Sequence, residues 1–371
     1  MEQAPDTREP APLRGIRVLD LSQTLPGPFC TQVLADLGAE VLKVEPPAGD
    51  MTRHSPTGIF HVANRNKHSL VIDLKQPAGV ADCLRLAVGC DVFVEGFRPG
   101  VMQRLGVGYA DVARVRPDIV YCSISGYGQD GPLAAAPGHD LNYLAASGAL
   151  AFSGSWRREG AKRPGLPLAD LSAAMYAAVS ILAALRQRDL TGKGARLDIA
   201  LADCATAWAT VRGGLNQSLR DEERRHLFPT NDLFRCADGR QIALGVVEDH
   251  FWRGLCHAAG GDEPRLRDAR FASESGRRTH GDELCALLGD LFLRDTAPAW
   301  VQRLAAHDVP VQAVVPLEEA MVSPQAAARG LVQTHEGQRH MTCPVVWDGR
   351  PVSRVRRNPP ALGADTRAWL D

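Results

Sequence analysis

The sequence predicts an α/β protein of two domains: a large one with a mostly parallel sheet covered by helices, and a smaller α+β one. Three observations predict it. Short β-branched runs alternate with helix-length amphipathic stretches from residue 16 to residue 211, and that alternation winds a parallel sheet with helices on both faces. The length of 371 residues exceeds one ordinary domain. A charged stretch of little periodicity, NQSLRDEERRHLFPTND, breaks the pattern at 216–232 and reads as a linker.

The elements follow in order. IRVLDLS (16–22) is a strand pattern that ends at a TLPGP turn. PFCTQVLADLG then places Phe29, Val33, Leu34 and Leu37 on one helical face, with Pro28 near the first helical position and Gly38 as a stop. AEVLKVE (39–45) and SLVIDLK (69–75) are further strands, the second followed by a helix in VADCLRLAVG. DVFVEGF (91–97) and IVYCSIS (119–125) continue the sheet, with a helical stretch between them. A long helix at 171–187 and a β-α pair in ARLDIALADCATAWATV close the large domain, assigned to 1–215. The small domain covers 233–320, and the tail 321–371, short of elements of its own, is expected to pack back on the large domain.

Composition narrows the partners. A net charge of −1 gives no reason to expect nucleic acid or an anionic membrane. Nine cysteines, odd in number and without a CxxC pair or a nearby histidine cluster, read as reduced thiols in a cytoplasmic protein that binds no metal. The N-terminus lacks the apolar core of a signal peptide, and the longest near-apolar run, 171–185, suits a buried helix better than a bilayer span.

One motif misleads. Gly126-Tyr-Gly128-Gln-Asp-Gly131 fits the dinucleotide fingerprint, but Pro132 follows where a helix should open, so a glycine-rich turn without nucleotide is expected. No phosphate loop, HExxH or GxSxG pattern supports phosphoryl transfer, metalloproteolysis or serine hydrolysis. Two other stretches bear on chemistry. GHDLNY sets His139 and Asp140 at the start of a helix-like run, a general base or a solvated turn pair. LPLAD sets Asp170 before the long helix, where an aspartate also serves as an N-cap.

These stretches join LRGIRVLDLSQTLPGPFCTQVLADLGAEVLKVEPPAGD, NRNKHSLVIDLK, DVFVEGFRPGVMQRLGVGY, TGKGARLDIALAD and LFRCADGRQIALGVVEDHFW in an order that resembles family III CoA-transferases and α-methylacyl-CoA racemases. The resemblance spans nearly the whole chain. It implies a large Rossmann-like domain, a small domain, and an interlaced homodimer. The substrate it implies is an acyl-CoA thioester, with coenzyme A entering as part of that substrate and no tightly bound cofactor.

Asp170 matches the functional aspartate of both chemistries: a nucleophile in transferases, an acid or base at the α-carbon in racemases. His139 within GHDxNY and Glu248 in GVVEDHFW match racemase residues, and Gly96 stands where transferases carry asparagine. Against this, Leu-Ser-Ala-Ala follows Asp170 where racemases carry glycines. For coenzyme A the resemblance implies the TLPG turn (Leu25, Pro26), Ile72 and Lys75, the Gly96-Phe97-Arg98 loop, Arg104 and Asp140. The favoured expectation is racemisation of a 2-methylacyl-CoA, with CoA transfer between carboxylic acids as the alternative. A CoA-binding relative without catalysis would have lost an acid or a base, yet His139, Asp170 and Glu248 are all present.

Overall fold

The computed structural model describes residues 11–153, 161–213, 228–259 and 261–371. Six strands, β1 (Arg17–Asp20), β2 (Glu40–Glu45), β3 (Lys67–Val71), β4 (Val92–Glu95), β5 (Val120–Ser125) and β6 (Ala195–Ala200), form one sheet in the order β3-β2-β1-β4-β5-β6. Every neighbouring pair is parallel. The helices interleaved with them are α1 (Pro26–Asp36), α2 (Ile59–Ala63), α3 (Pro77–Val88), α4 (Val101–Arg104), α5 (Tyr109–Val115), α6 (Asp140–Ala146), α7 (Leu168–Thr191) and α8 (Leu201–Gly213). The chain runs outward from β1 to β3, then returns to lay β4 on the other side of β1. That reversal opens a crevice at the carboxyl ends of β1 and β4, where ligands of such sheets bind.

Strand periodicity divides the core into two layers. Val18, Val41, Val92 and Val120 face α1 and α7. Their neighbours Leu19, Leu42, Phe93 and Tyr121 face Cys83 and Leu86 of α3 and Val112 of α5. The α7 face toward the sheet is almost all alanine (Ala169, Ala173, Ala177), so the helix packs close. At 24 residues α7 is longer than the run expected at 171–187, and long and apolar enough to cross a membrane; instead it packs against α1, α8 and β6.

Three expectations need correction. Helix α1 starts at Pro26, and it is not buried on one apolar face: Thr31, Gln32 and Asp36 are buried too, because they join polar networks beneath it. Strand β3 ends at Val71 rather than residue 75, because the Asp73 carboxylate accepts the Lys75 N–H and turns the chain toward α3. The tail is richer than expected. It forms hairpins Val332–His335 with Gln338–Met341, and Val346–Trp347 with Arg350–Pro351. Both turn on an acidic residue followed by glycine at positive φ (Glu336-Gly337 and Asp348-Gly349), the signature of tight hairpin turns.

The described residues up to 213 together with Met321–Asp371 form one compact unit, and those from 228 to 320 form a second. Most of the expected linker lies outside the described residues, and its last part already belongs to strand β7 (Asn231–Arg235). In the second unit β7, β8 (Gln241–Gly245) and β9 (Val311–Ala313) make an antiparallel sheet over a core of Phe234, Trp252, Phe292 and Trp300.

In the first unit the tail closes the sheet's edge. Asp365 accepts the Ser69 N–H at 3.0 Å and donates its own N–H to Ser69 O at 3.0 Å, and the Thr366 hydroxyl accepts the Val71 N–H at 3.0 Å. The outer hydrogen-bonding groups of β3 are thereby occupied.

Asp20 ends β1, Lys43 lies within β2 and Lys67 opens β3, and their side chains meet in a fully buried ionic cluster. The Lys67 ammonium sits 3.1 Å from Asp20 and donates to Pro28 O, Thr31 Oγ1 and Asn64 Oδ1. The Lys43 ammonium donates to Ser22 O at 2.9 Å and pairs with Asp50 at 2.9 Å. Burial alone would raise the Asp20 carboxyl, but the two ammoniums with the Ser22 and Thr31 hydroxyls overcome it and hold it at about 2. Since its unfolded value is near 3.8, that stabilisation is present above 3.8 and lost as pH falls through about 2. Lys67→Met leaves Asp20 buried with one counterion fewer and is expected to cost about 3–5 kcal/mol in a denaturant series at neutral pH. A loss under about 1 kcal/mol, as for an exposed pair, would show that this cluster does not hold the strands.

Candidate active site

The TLPG turn leaves β1 above this cluster. Thr24 has φ 68°, unusual for a β-branched residue, and its N–H donates to Asp50 Oδ1 at 3.3 Å. Gly27 has no room for a side chain, since a Cβ there would lie 2.2 Å from the Ser22 Cβ. Leu25 caps α1 with its carbonyl, which accepts from Phe29 N, and Pro26 is the first helical residue.

Across the crevice, the Gly96-Phe97-Arg98 loop leaves β4. Gly96 approaches the turn of β1: a Cβ on it would be 3.5 Å from the Ser22 Cβ. The loop is held by Glu95, whose carboxylate accepts the Phe97 N–H at 2.8 Å and whose own pKa is raised chiefly by burial. The structure thus brings the expected β1 and β4 loops side by side at the reversal of strand order, with Arg98 exposed beside it and Arg104 exposed on α4. Ile72 is buried just past β3, its N–H bonded to Glu45 O, and Lys75 is exposed in the turn before α3.

His139, Asp140 and Asp170 form the second group. His139 is the N-cap of α6, and its N–H donates to Asn142 Oδ1 at 3.0 Å. Its imidazole takes no part in capping and the residue is exposed. Asp140 turns its carboxylate onto α7, where Oδ1 accepts the N–H groups of Ala169 at 2.7 Å and Asp170 at 3.2 Å. Asp170 lies in the first turn of α7, half-buried. Its carboxyl is pushed up to about 7, first by burial and then by the negative charge of Asp140.

Tyr143 is a neighbour that the sequence reading passed over. Its ring fills the space between Gly126 and Gly138, where a Cβ would lie 2.4 Å and 2.6 Å from it. Its hydroxyl donates to Gly138 O at 2.6 Å, and Asp170 contributes to raising its pKa after burial. So Gly126 is small to admit a tyrosine, and β5 leads to no helix before α6. The signal was present in Gly126 and Gly138, without a partner to explain them.

Glu248 belongs to the other unit, exposed immediately before helix Asp249–Ala259, with its carbonyl accepting the Trp252 N–H. A cavity of about 840 Å³ opens at the opposite end of the sheet from the crevice, lined by Glu40 and His68 near the starts of β2 and β3 and by tail arginines. It includes none of the residues above. No group of three metal-ligating side chains occurs among the described residues.

Residues 13–366 match the model of CoA-transferase family III. The chain belongs to this family. It is 33% identical to human succinyl-CoA:glutarate CoA-transferase, over 96% of this chain and 84% of that one. It is 34% identical to human α-methylacyl-CoA racemase, over 97% of this chain and 92% of the relative. Among solved structures, a CaiB/BaiF family protein from Brucella suis superposes with a TM-score of 0.86 at 28% identity, covering 98% of this chain and all (100%) of that one. Family III is a family of enzymes, and its members similar to this chain carry both transferase and racemase names.

The raised carboxyl makes a testable demand on stability. Folded, Asp170 binds its proton up to about pH 7; unfolded, it releases it near 3.8. Stability is therefore lost as pH rises between these values, and the loss is complete above about 7. Asp170→Asn is expected to melt higher than the wild type at pH 8 and to lose that advantage by pH 4. The same difference at both pH values would show that the folded carboxyl is unperturbed.

Proposed function

We propose that this family III enzyme acts on a 2-methylacyl-CoA and inverts its α-carbon, with His139 and Asp170 exchanging the proton. The observation that carries the reading is the state of Asp170: a carboxyl pushed up to about 7 keeps a proton to donate near neutral pH. His139, adjacent in sequence to the residue that bonds the Asp170 N–H, presents an imidazole not committed to capping.

In one direction His139 removes the α-proton, and the electron pair of the C–H bond passes into an enolate on the thioester oxygen. Asp170 then gives its proton to the opposite face of that carbon. The enzyme is left with imidazolium and carboxylate, the pair needed for the reverse reaction. Acidification of the α-carbon comes from the thioester itself, so no metal or organic cofactor is required. The Leu25-Pro26 turn, Ile72, Lys75, the Gly96–Arg98 loop, Arg104 and Asp140 are the groups proposed to hold coenzyme A, with the arginines and the lysine toward its phosphates. Glu248 is proposed as a further catalytic group, and the enzyme as a homodimer working in the cytoplasm. None of the nine cysteines is joined in a disulfide and eight are buried, which suits a reducing compartment.

CoA transfer is the second reading, favoured by relatives with transferase names. Here Asp170 attacks the thioester carbon and expels CoA thiolate, so hydroxylamine supplied with acyl-CoA traps the acylated carboxyl.

Incubation with a 2-methylacyl-CoA in deuterium oxide is expected to place deuterium at the α-carbon with no second carboxylic acid present. His139→Ala is expected to slow that exchange by about 10² or more, while affinity for coenzyme A changes little. Exchange that requires an acceptor acid, or adduct formation at Asp170, would replace this reading with the transferase.

A further inference from the structure

We infer that Asp140 is the positioning residue of the site: from outside α7 it caps the helix that carries Asp170, and so ties that side chain to the turn carrying His139. This rests on the proposed roles of His139 and Asp170.

The first turn of α7 lacks a cap of its own. Its N-cap position is Pro167, with no side chain to accept a hydrogen bond. A helix leaves its first N–H groups unsatisfied, and those of Ala169 and Asp170 both point to one oxygen, Asp140 Oδ1. The donors lie 29 and 30 residues along the chain from the acceptor. The bond is thus a tertiary link between α6 and α7 rather than local capping chemistry.

Three consequences converge. The backbone of Asp170 is fixed relative to the residue that follows His139. The positive end of the α7 dipole, which would stabilise an ionised Asp170, is spent on Asp140 instead. The Asp140 charge also disfavours a second carboxylate beside it, in line with the raised Asp170 carboxyl. Among the described residues, the titratable groups shown to interact with Asp170 are Asp140 and Tyr143, and Tyr143 in turn feels Tyr127 and Arg98. Asp140 is the one that both bonds the Asp170 backbone and repels its side chain.

Asn and Ala at this position separate bond from charge. Asp140→Asn keeps an acceptor oxygen and removes the charge. It is expected to melt no lower than the wild type while the Asp170 carboxyl titrates at least about one pH unit lower, seen by NMR of carboxyl-labelled aspartate with the signal assigned by its loss in Asp170→Asn. The limb of the α-exchange pH profile that needs protonated Asp170 should move down with it. Asp140→Ala removes both bond and charge. It is expected to lose hydrogen-exchange protection at the Ala169 and Asp170 amides and at least about tenfold in kcat.

An Asp170 titration unmoved in Asp140→Asn, or full kcat and full amide protection in Asp140→Ala, would overturn the inference. Loss of melting temperature in both variants without a shift in titration would overturn it too, leaving a purely structural aspartate. The titration and amide-exchange readouts need no turnover. If the wild type exchanges no α-proton, the racemase reading falls while these two measurements still decide the role of Asp140.

Discussion

The large unit depends on the charge cluster that its first three strands share. Two lysines and two aspartates, Asp20, Lys43, Asp50 and Lys67, are taken wholly out of water there. Removing such ions from water costs several kcal/mol each, and their mutual attraction and hydrogen bonds offset it. The members come from three strands, the loop after β2 and the base of α1, so satisfying them demands one arrangement of all five. A hydrophobic plug would fill the same space without specifying how the three strands must align.

This accounts for the placement of the site loops. Asp50 holds the strained Thr24, Ser22 abuts Gly27, and Gly96 comes to rest against Ser22. The crevice between β1 and β4 therefore inherits its shape from buried ions rather than from its own lining. The stretches LDLS, VLKVE and NRNK, which are among those that resemble family III, supply most of the cluster. Their likeness speaks first to architecture. The chemistry rests on fewer residues, around His139 and Asp170.

The alternation of strands and helices was legible because both faces of a parallel sheet are apolar, and each strand announces itself as a short β-branched run. The tail hairpins were not, since strands of two to four residues are too short to show a period. The polar burial of α1 was hidden as well: Thr31, Gln32 and Asp36 look like a solvent face until Lys67 and Arg65 are seen beneath them. At the site, His139, Asp140 and Asp170 stood out by residue type and setting. That Asp140 reaches across 29 residues to α7 left no trace in the sequence, because such a contact has no local signature. Tyr143 was missed for a related reason: a glycine records that something is close, but not what.

The covered edge of β3 ties the fate of the sheet to the order in which the chain is made. The pairing of Ser69 with Asp365 spans 296 residues, so β3 leaves the ribosome long before its cover does. At about 5–20 residues per second, the strand waits on the order of 15–60 seconds with its outer edge bare. During that wait the nascent chain exposes an unpaired strand edge, the feature that recruits chaperones or a neighbouring nascent chain. A product released before residue 365 would keep that edge open, because Asp365 and Thr366 are what cover it.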